Sequence, residues 1–239
     1  MNNQTISIFK PLFEQQLNIP NNNVCIRCNA KYKNPLIPWI VGSKYFEQEE
    51  RLLFIGKPHR GNTGNFPDSK ILDATTHLDW LKDCSWPYWK YTRNILEKLY
   101  GIEDPWDYAC FTNLIKCTNV GDDDPPNDTT SYEMARNCIV DLEVIYHEIK
   151  RLEPKTIIFY TYSLYKELLR DFPMKVNALT YVTIKPENNK VKCGNKLLGW
   201  WERKISTSWS DNVRVLVTGH PQFMKYDEYV QLLTNWIRP

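Results

Sequence analysis

Four short apolar runs limit what this chain can fold into: RLLFIG (51–56), YACFTNLIKC (108–117), TIIFYT (156–161) and VRVLVTG (213–219). Each is nearly continuous in hydrophobic residues, as expected of a strand buried on both faces rather than one alternating between core and water. Helical spacing fills the intervals. It runs from 88 to 100 and stops at Gly101, then from 134 to 152, opened by Thr130 and Glu133 at capping-box spacing and closed by Pro154. Further helices are expected at 163–172 and 226–237. Strands that alternate with helices predict an α/β fold, a single-domain three-layer αβα sandwich around a central, mainly parallel four-stranded sheet. The 239 residues suit one such domain at 51–239, with an N-terminal segment, 1–50, packed on it.

Composition narrows the function classes. No run approaches the roughly 20 apolar residues of a membrane helix, and residues 1–23 are polar, unlike a signal peptide. A soluble cytoplasmic protein is expected. The net charge of +2 is compatible with DNA as a partner but is far from the basic excess of a dedicated binder. An odd count of seven cysteines argues against a disulfide framework and towards metal ligation or core thiols.

Ligands of a parallel sheet bind beyond the carboxyl ends of its strands, and the most unusual polar segments lie there. A loop rich in Gly, Asn, Pro and Asp (58–76) follows the first run, an Asp/Pro loop (118–130) the second, and GHPQFM (219–224) the fourth. Asp122 to Asp124 read as an exposed acidic turn. Asn113, polar inside an apolar run, is a site candidate because such a residue is costly unless paired, and its amide offers a donor beside an acceptor. Cys25 and Cys28 form C-x-x-C, Cys117 ends the second run, and Cys138 lies early in the following helix. Four thiolates fit a structural zinc or an iron–sulfur cluster, while paired cysteines also occur as buried hydrophobes. Cys84, Cys110 and Cys193 read as plain core thiols.

The segments CIRC, FTNLIKC and NCIVDLEVIYHEIKRLEPKTIIF, together with FIGKPHRGNTGNFPDS and GHPQFM, resemble the iron–sulfur (family 4) branch of the uracil-DNA glycosylase superfamily, from Cys25 to the end of the chain. The resemblance implies a [4Fe–4S] cluster on Cys25, Cys28, Cys117 and Cys138, with structural zinc the alternative. The 20 residues between the last two ligands exceed the family's usual spacing. It implies that Phe66 stacks on a flipped base, that Asn113 reads the base edge, and that Gly56 and Lys57 border the base. His220 would hydrogen-bond the base oxygen on which charge develops. Gln222, Phe223, Met224 and Lys225 would meet DNA, with Phe223 or Met224 as the wedge. The first motif departs from the family: Gly56-Lys57-Pro58-His59 lacks the usual catalytic carboxylate or Asn. Asn62 is the favoured substitute for positioning water, ahead of His59 and Asp68.

These features predict a DNA glycosylase that flips a pyrimidine out of DNA and hydrolyses its N-glycosidic bond. The small polar stretch GNTGN (61–65) leaves room for a bulky base. This favours glucosylated hydroxymethylcytosine, as removed from phage DNA by defence glycosylases of the superfamily, over uracil excision in repair. A non-catalytic DNA-binding module on the same scaffold is the rival from another class. A monomer without an obligate protein partner is expected.

Overall fold

The computed structural model describes residues 3–58, 84–103, 105–119 and 130–238. The four apolar runs become β2 (Leu52–Gly56), β3 (Ala109–Asn113), β4 (Thr156–Phe159) and β8 (Val213–Thr218). They form a parallel core in the order β3-β2-β4-β8. The chain thus moves from β2 to one neighbour, then crosses back to the other side, which leaves a switch point between β2 and β4.

The sheet is larger than the four parallel strands expected from sequence. Eight strands are present among the described residues, and antiparallel pairings add to both sides of the parallel core. β1 (Ile40–Val41) pairs with β3. On the far side, β7 (Lys196–Ser206) pairs with β8 and carries β5 (Thr180–Lys185) and β6 (Lys190–Cys193). β5 is exposed on both faces and so shows no apolar period, although TYVTIK is rich in β-branched and aromatic residues.

Each face of the sheet has its own core, because successive strand residues point opposite ways. Leu53, Ile55, Ile157, Val215 and Val217 pack on one side with α1 (Asn3–Pro11) and α5 (Val144–Leu152). Leu52, Phe54, Ile158 and Leu216 pack on the other with α3 (Pro87–Tyr100) and α8 (Tyr226–Ile237). The chain is an α/β protein with a mixed sheet. No helix among the described residues is long and apolar enough to cross a membrane.

Two expected helices are broken. That of 134–152 divides into α4 (Tyr132–Arg136), a wide turn at Asn137–Asp141, and α5, with Glu143 at φ 51° between them. Its cap is Ser131, not Thr130: the Ser131 hydroxyl accepts from the Met134 N–H at 3.1 Å. In place of 163–172 there are two short pieces, α6 (Tyr162–Tyr165) and α7 (Phe172–Lys175).

Candidate functional site

The carboxyl ends of the parallel strands lie in a row. Gly56 is level with Asn113, Ile55 with Phe159, and Phe159 with Val217. Asn113, Gly56, Tyr160 and the loop after β8 therefore share one edge. The first turn of α3 covers this edge and brings Tyr88 against Gly56 and His220. Its hydroxyl sits where a side chain at 56 would be: a Cβ there would lie 0.8 Å from the oxygen. Glycine is required at that position by close approach alone.

Tyr88 is held on several sides. Its ring makes edge contacts with Phe111 at 4.9 Å, Trp89 at 5.3 Å and Tyr160 at 5.7 Å. Burial pushes its hydroxyl well above the usual tyrosine range, with the Tyr160 hydroxyl adding and the Lys57 backbone N–H opposing. The face of the ring lies parallel to His220, with centroids 5.3 Å apart and planes at 10°.

His220 caps the short turn Pro221–Phe223, and its Nδ1 accepts from the Gln222 N–H at 3.1 Å. That bond requires a bare Nδ1, so the neutral imidazole carries its proton on Nε2. The loop is pinned at both ends, since the Tyr229 hydroxyl donates to the Gly219 carbonyl and the Tyr91 hydroxyl to the Met224 carbonyl, each at 3.1 Å. Met224 is half-buried and packs on the core, Gln222 is exposed, and Lys225 is exposed with Nζ 3.2 Å from Glu228.

Asn113 is buried, and both ends of its amide are engaged. Oδ1 accepts from the Trp39 indole N–H at 2.5 Å, and Nδ2 donates to the Lys57 carbonyl. Trp39 is donor-only, which fixes the amide's orientation. Behind Asn113 lies a charged network. The Lys116 ammonium donates to Glu148 at 2.8 Å, to Thr112 Oγ1 at 2.8 Å and to the Asn113 carbonyl at 2.5 Å. Thr112 donates to the same Glu148 oxygen at 3.0 Å. The two charged side chains are 2% and 0% exposed. Burial pushes the Glu148 carboxyl up, and Lys116 pulls it back.

The four sequence-marked cysteines meet just beyond this network, where Ile115 and Cys117 flank Lys116 in the chain. Cys25, Cys28, Cys117 and Cys138 border one small pocket, lined also by Pro20, Lys33 and Met134. Local chemistry explains the meeting. Asn22 caps α2 (Asn23–Arg27), accepting from the Val24 and Cys25 N–H groups. The N-terminal segment then runs beside the end of β3, with Tyr32 N–H on the Thr118 carbonyl and Leu36 N–H on the Lys116 carbonyl. Asn29 ties it to Ser131 and Glu133 at the start of α4. Burial raises the Cys25 thiol to about 11 and the Cys138 thiol to about 12, and Cys117 is pushed well up as well. Neighbouring thiols add to this: Cys28 disfavours charge on Cys25, and both disfavour it on Cys117 and Cys138, so thiolates there would call for a cation between them. Among the described residues, no three His, Cys, Asp or Glu side chains close into a set that could hold a metal ion.

Of the residues marked in sequence, Gly56, Lys57, Asn113 and His220 lie along the carboxyl-end edge of the parallel strands. His59, Asn62, Phe66, Asp68, the Asp122–Asp124 turn and the Phe223 side chain lie outside the described residues. Tyr88, Trp39 and the Lys116–Glu148 pair escaped the sequence reading. A lysine inside the apolar run FTNLIKC is the signal that marks the last of these. No protein-family model matches the chain, and no curated protein does.

Proposed function

We propose that the protein is a DNA glycosylase of the uracil-DNA glycosylase type, hydrolysing the N-glycosidic bond of a pyrimidine taken out of the helix. The observation that carries this reading is the placement of His220. It stands beyond the end of β8 with Nδ1 committed to its own loop, on the same strand-end edge as Asn113, with Tyr88 and Gly56 between them. Breaking the C1′–N bond leaves negative charge on the base, and a preorganised donor at the base oxygen lowers that barrier. His220 Nε2–H is such a donor. A base carbonyl would take the place of the Lys57 carbonyl at Asn113 Nδ2, so Lys57 yields when the base enters, while Trp39 keeps the amide aligned. Water positioning is assigned to Asn62, ahead of His59 and Asp68, and base stacking to Phe66.

The favoured substrate is a bulky modified base, glucosylated hydroxymethylcytosine of phage DNA, supported by the small polar stretch 61–65. Uracil is the second substrate. DNA is the partner, met by Gln222, Phe223, Met224 and Lys225. A [4Fe–4S] cluster on Cys25, Cys28, Cys117 and Cys138 belongs to the same reading, with zinc the alternative, and their common border on one pocket supports it. Either centre, when bound, supplies a cross-link between the N-terminal segment, the end of β3 and the turn after α4.

The test is incubation of the purified protein with glucosylated phage DNA, uracil-containing DNA and unmodified DNA, followed by alkaline cleavage at abasic sites. Strand breaks on the glucosylated DNA, reduced about 10²- to 10³-fold by His220→Ala, are expected. Breaks on uracil DNA alone would move the substrate to uracil. The engaged Asn113 amide favours one rival, a non-catalytic DNA-binding module. Retention of DNA without breaks on any substrate would establish that rival and overturn the enzyme reading.

A further inference from the structure

The stack of Tyr88 on His220 has a consequence for the imidazole. A histidine on a half-exposed loop ordinarily samples several rotamers, and ordering it costs side-chain entropy. Here two independent contacts remove that freedom. The Gln222 N–H fixes rotation of the ring through Nδ1, and the parallel Tyr88 face at 5.3 Å fixes the tilt of its plane. Tyr88 in turn cannot give way, since its ring edges meet Phe111, Trp89 and Tyr160 and its hydroxyl abuts the backbone at Gly56. The direction of Nε2–H is thereby set before any ligand arrives.

We propose that Tyr88 is a positioning residue that aims the His220 Nε2–H at the strand-end edge. The role in catalysis rests on the glycosylase reading; the aiming itself does not. The chemistry asked of Tyr88 is a flat ring of fixed orientation, so phenylalanine should replace it and an aliphatic side chain should not. Because it acts only through His220, its loss should be silent once the imidazole is gone.

The experiment compares Tyr88→Phe and Tyr88→Leu in the full chain, in wild-type and His220→Ala backgrounds, with two readouts. The first is the proton signal of the His220 ring carbons. The chain has only four histidines, so this signal is assigned by its disappearance in His220→Asn. A ring stacked on tyrosine is shifted upfield. Tyr88→Phe should keep that shift and Tyr88→Leu should move the signal to the position of an unstacked histidine. The second readout is the single-turnover rate of base release. It should fall roughly 30- to 100-fold in Tyr88→Leu, as for an ångström-scale misplacement of a catalytic group, and stay within about threefold in Tyr88→Phe. Tyr88→Leu should add nothing in the His220→Ala background. Tyr88→Met stands in should the leucine variant not fold. An unmoved signal, or an equal loss of rate with and without His220, overturns the proposal. If the wild-type chain releases no base, the glycosylase reading falls, and the signal alone decides whether Tyr88 aims the ring.

Discussion

Replacing Glu148 by leucine should damage the fold more than replacing Glu148 and Lys116 together. The two charges are 2.8 Å apart, and both side chains are almost wholly removed from water. At an effective dielectric of about 20, unit charges at that distance attract by about 6 kcal/mol, which the cost of desolvating them largely offsets. The net value of the pair is therefore small, but the value of either partner to the other is large. Glu148→Leu leaves an ammonium buried with only Thr112 Oγ1 and the Asn113 carbonyl, at a cost of about 3–5 kcal/mol. For a chain of this size that is a fall in Tm of roughly 6–20 °C. The double variant Lys116→Met/Glu148→Leu removes both charges, and its stability should lie within about 2 kcal/mol of the wild type. Urea unfolding of the four chains gives the coupling energy directly. Additive losses, or a Glu148→Leu variant within about 1 kcal/mol of the parent, would refute the reasoning.

Other variants probe the remaining features. Gly56→Ala drives a methyl group into the Tyr88 hydroxyl and should destabilise by about 1–3 kcal/mol. Combining it with Tyr88→Leu should recover much of that loss in the same thermal melt, and no recovery would show that the clash lies elsewhere. Cys117→Ser or Cys138→Ser should abolish absorbance near 400 nm and lower Tm, whereas Cys193→Ala, remote from the pocket, should leave the absorbance intact. Metal analysis of the same samples distinguishes iron from zinc. Burial, then the positive charge of Lys150, holds His147 below the usual histidine value. The unfolded chain binds that proton more readily, so stability is lost as pH falls through about 6.5. His147→Gln should flatten the stability curve between about pH 7 and 5, and an unchanged slope would reject this attribution.

The parallel core was legible because burial on both faces leaves a mark that survives in sequence: strands β2, β3, β4 and β8 are apolar nearly throughout, and every residue in them except Arg214 is buried. The antiparallel half was not. β5 owes its place to main-chain pairing with β7 and exposes five of its six residues, so hydrophobic patterning has nothing to record there. The four cysteines were legible as a set only through the resemblance carried by CIRC, FTNLIKC and the segment that begins NCIVDL, since spacing alone suits buried thiols equally well, and in the fold they border one pocket. The details of α4 were lost to a serine one position beyond the expected cap, whose hydroxyl engages both Met134 and Asn29. Tyr88 left no sign at all. Its importance comes from Gly56 and His220, 32 residues upstream and 132 downstream, and only the fold brings them together.

The polar residues at the end of β3 explain why this stretch departs so far from its neighbours. A parallel strand needs only apolar side chains to hold its place, yet Thr112, Asn113, Lys116 and Cys117 follow one another within six residues. Lys116 curls back onto the Asn113 carbonyl and Thr112, which ends the ladder at Asn113 and turns the chain towards the cysteine pocket. The same turn delivers the Asn113 amide to the strand-end edge and Cys117 to the three other thiols. Glu148, from α5, anchors the Lys116 side chain in this position inside the protein. Strand-end edge and cysteine pocket thus meet at a single buried turn, and a change that unseats Lys116 must disturb both.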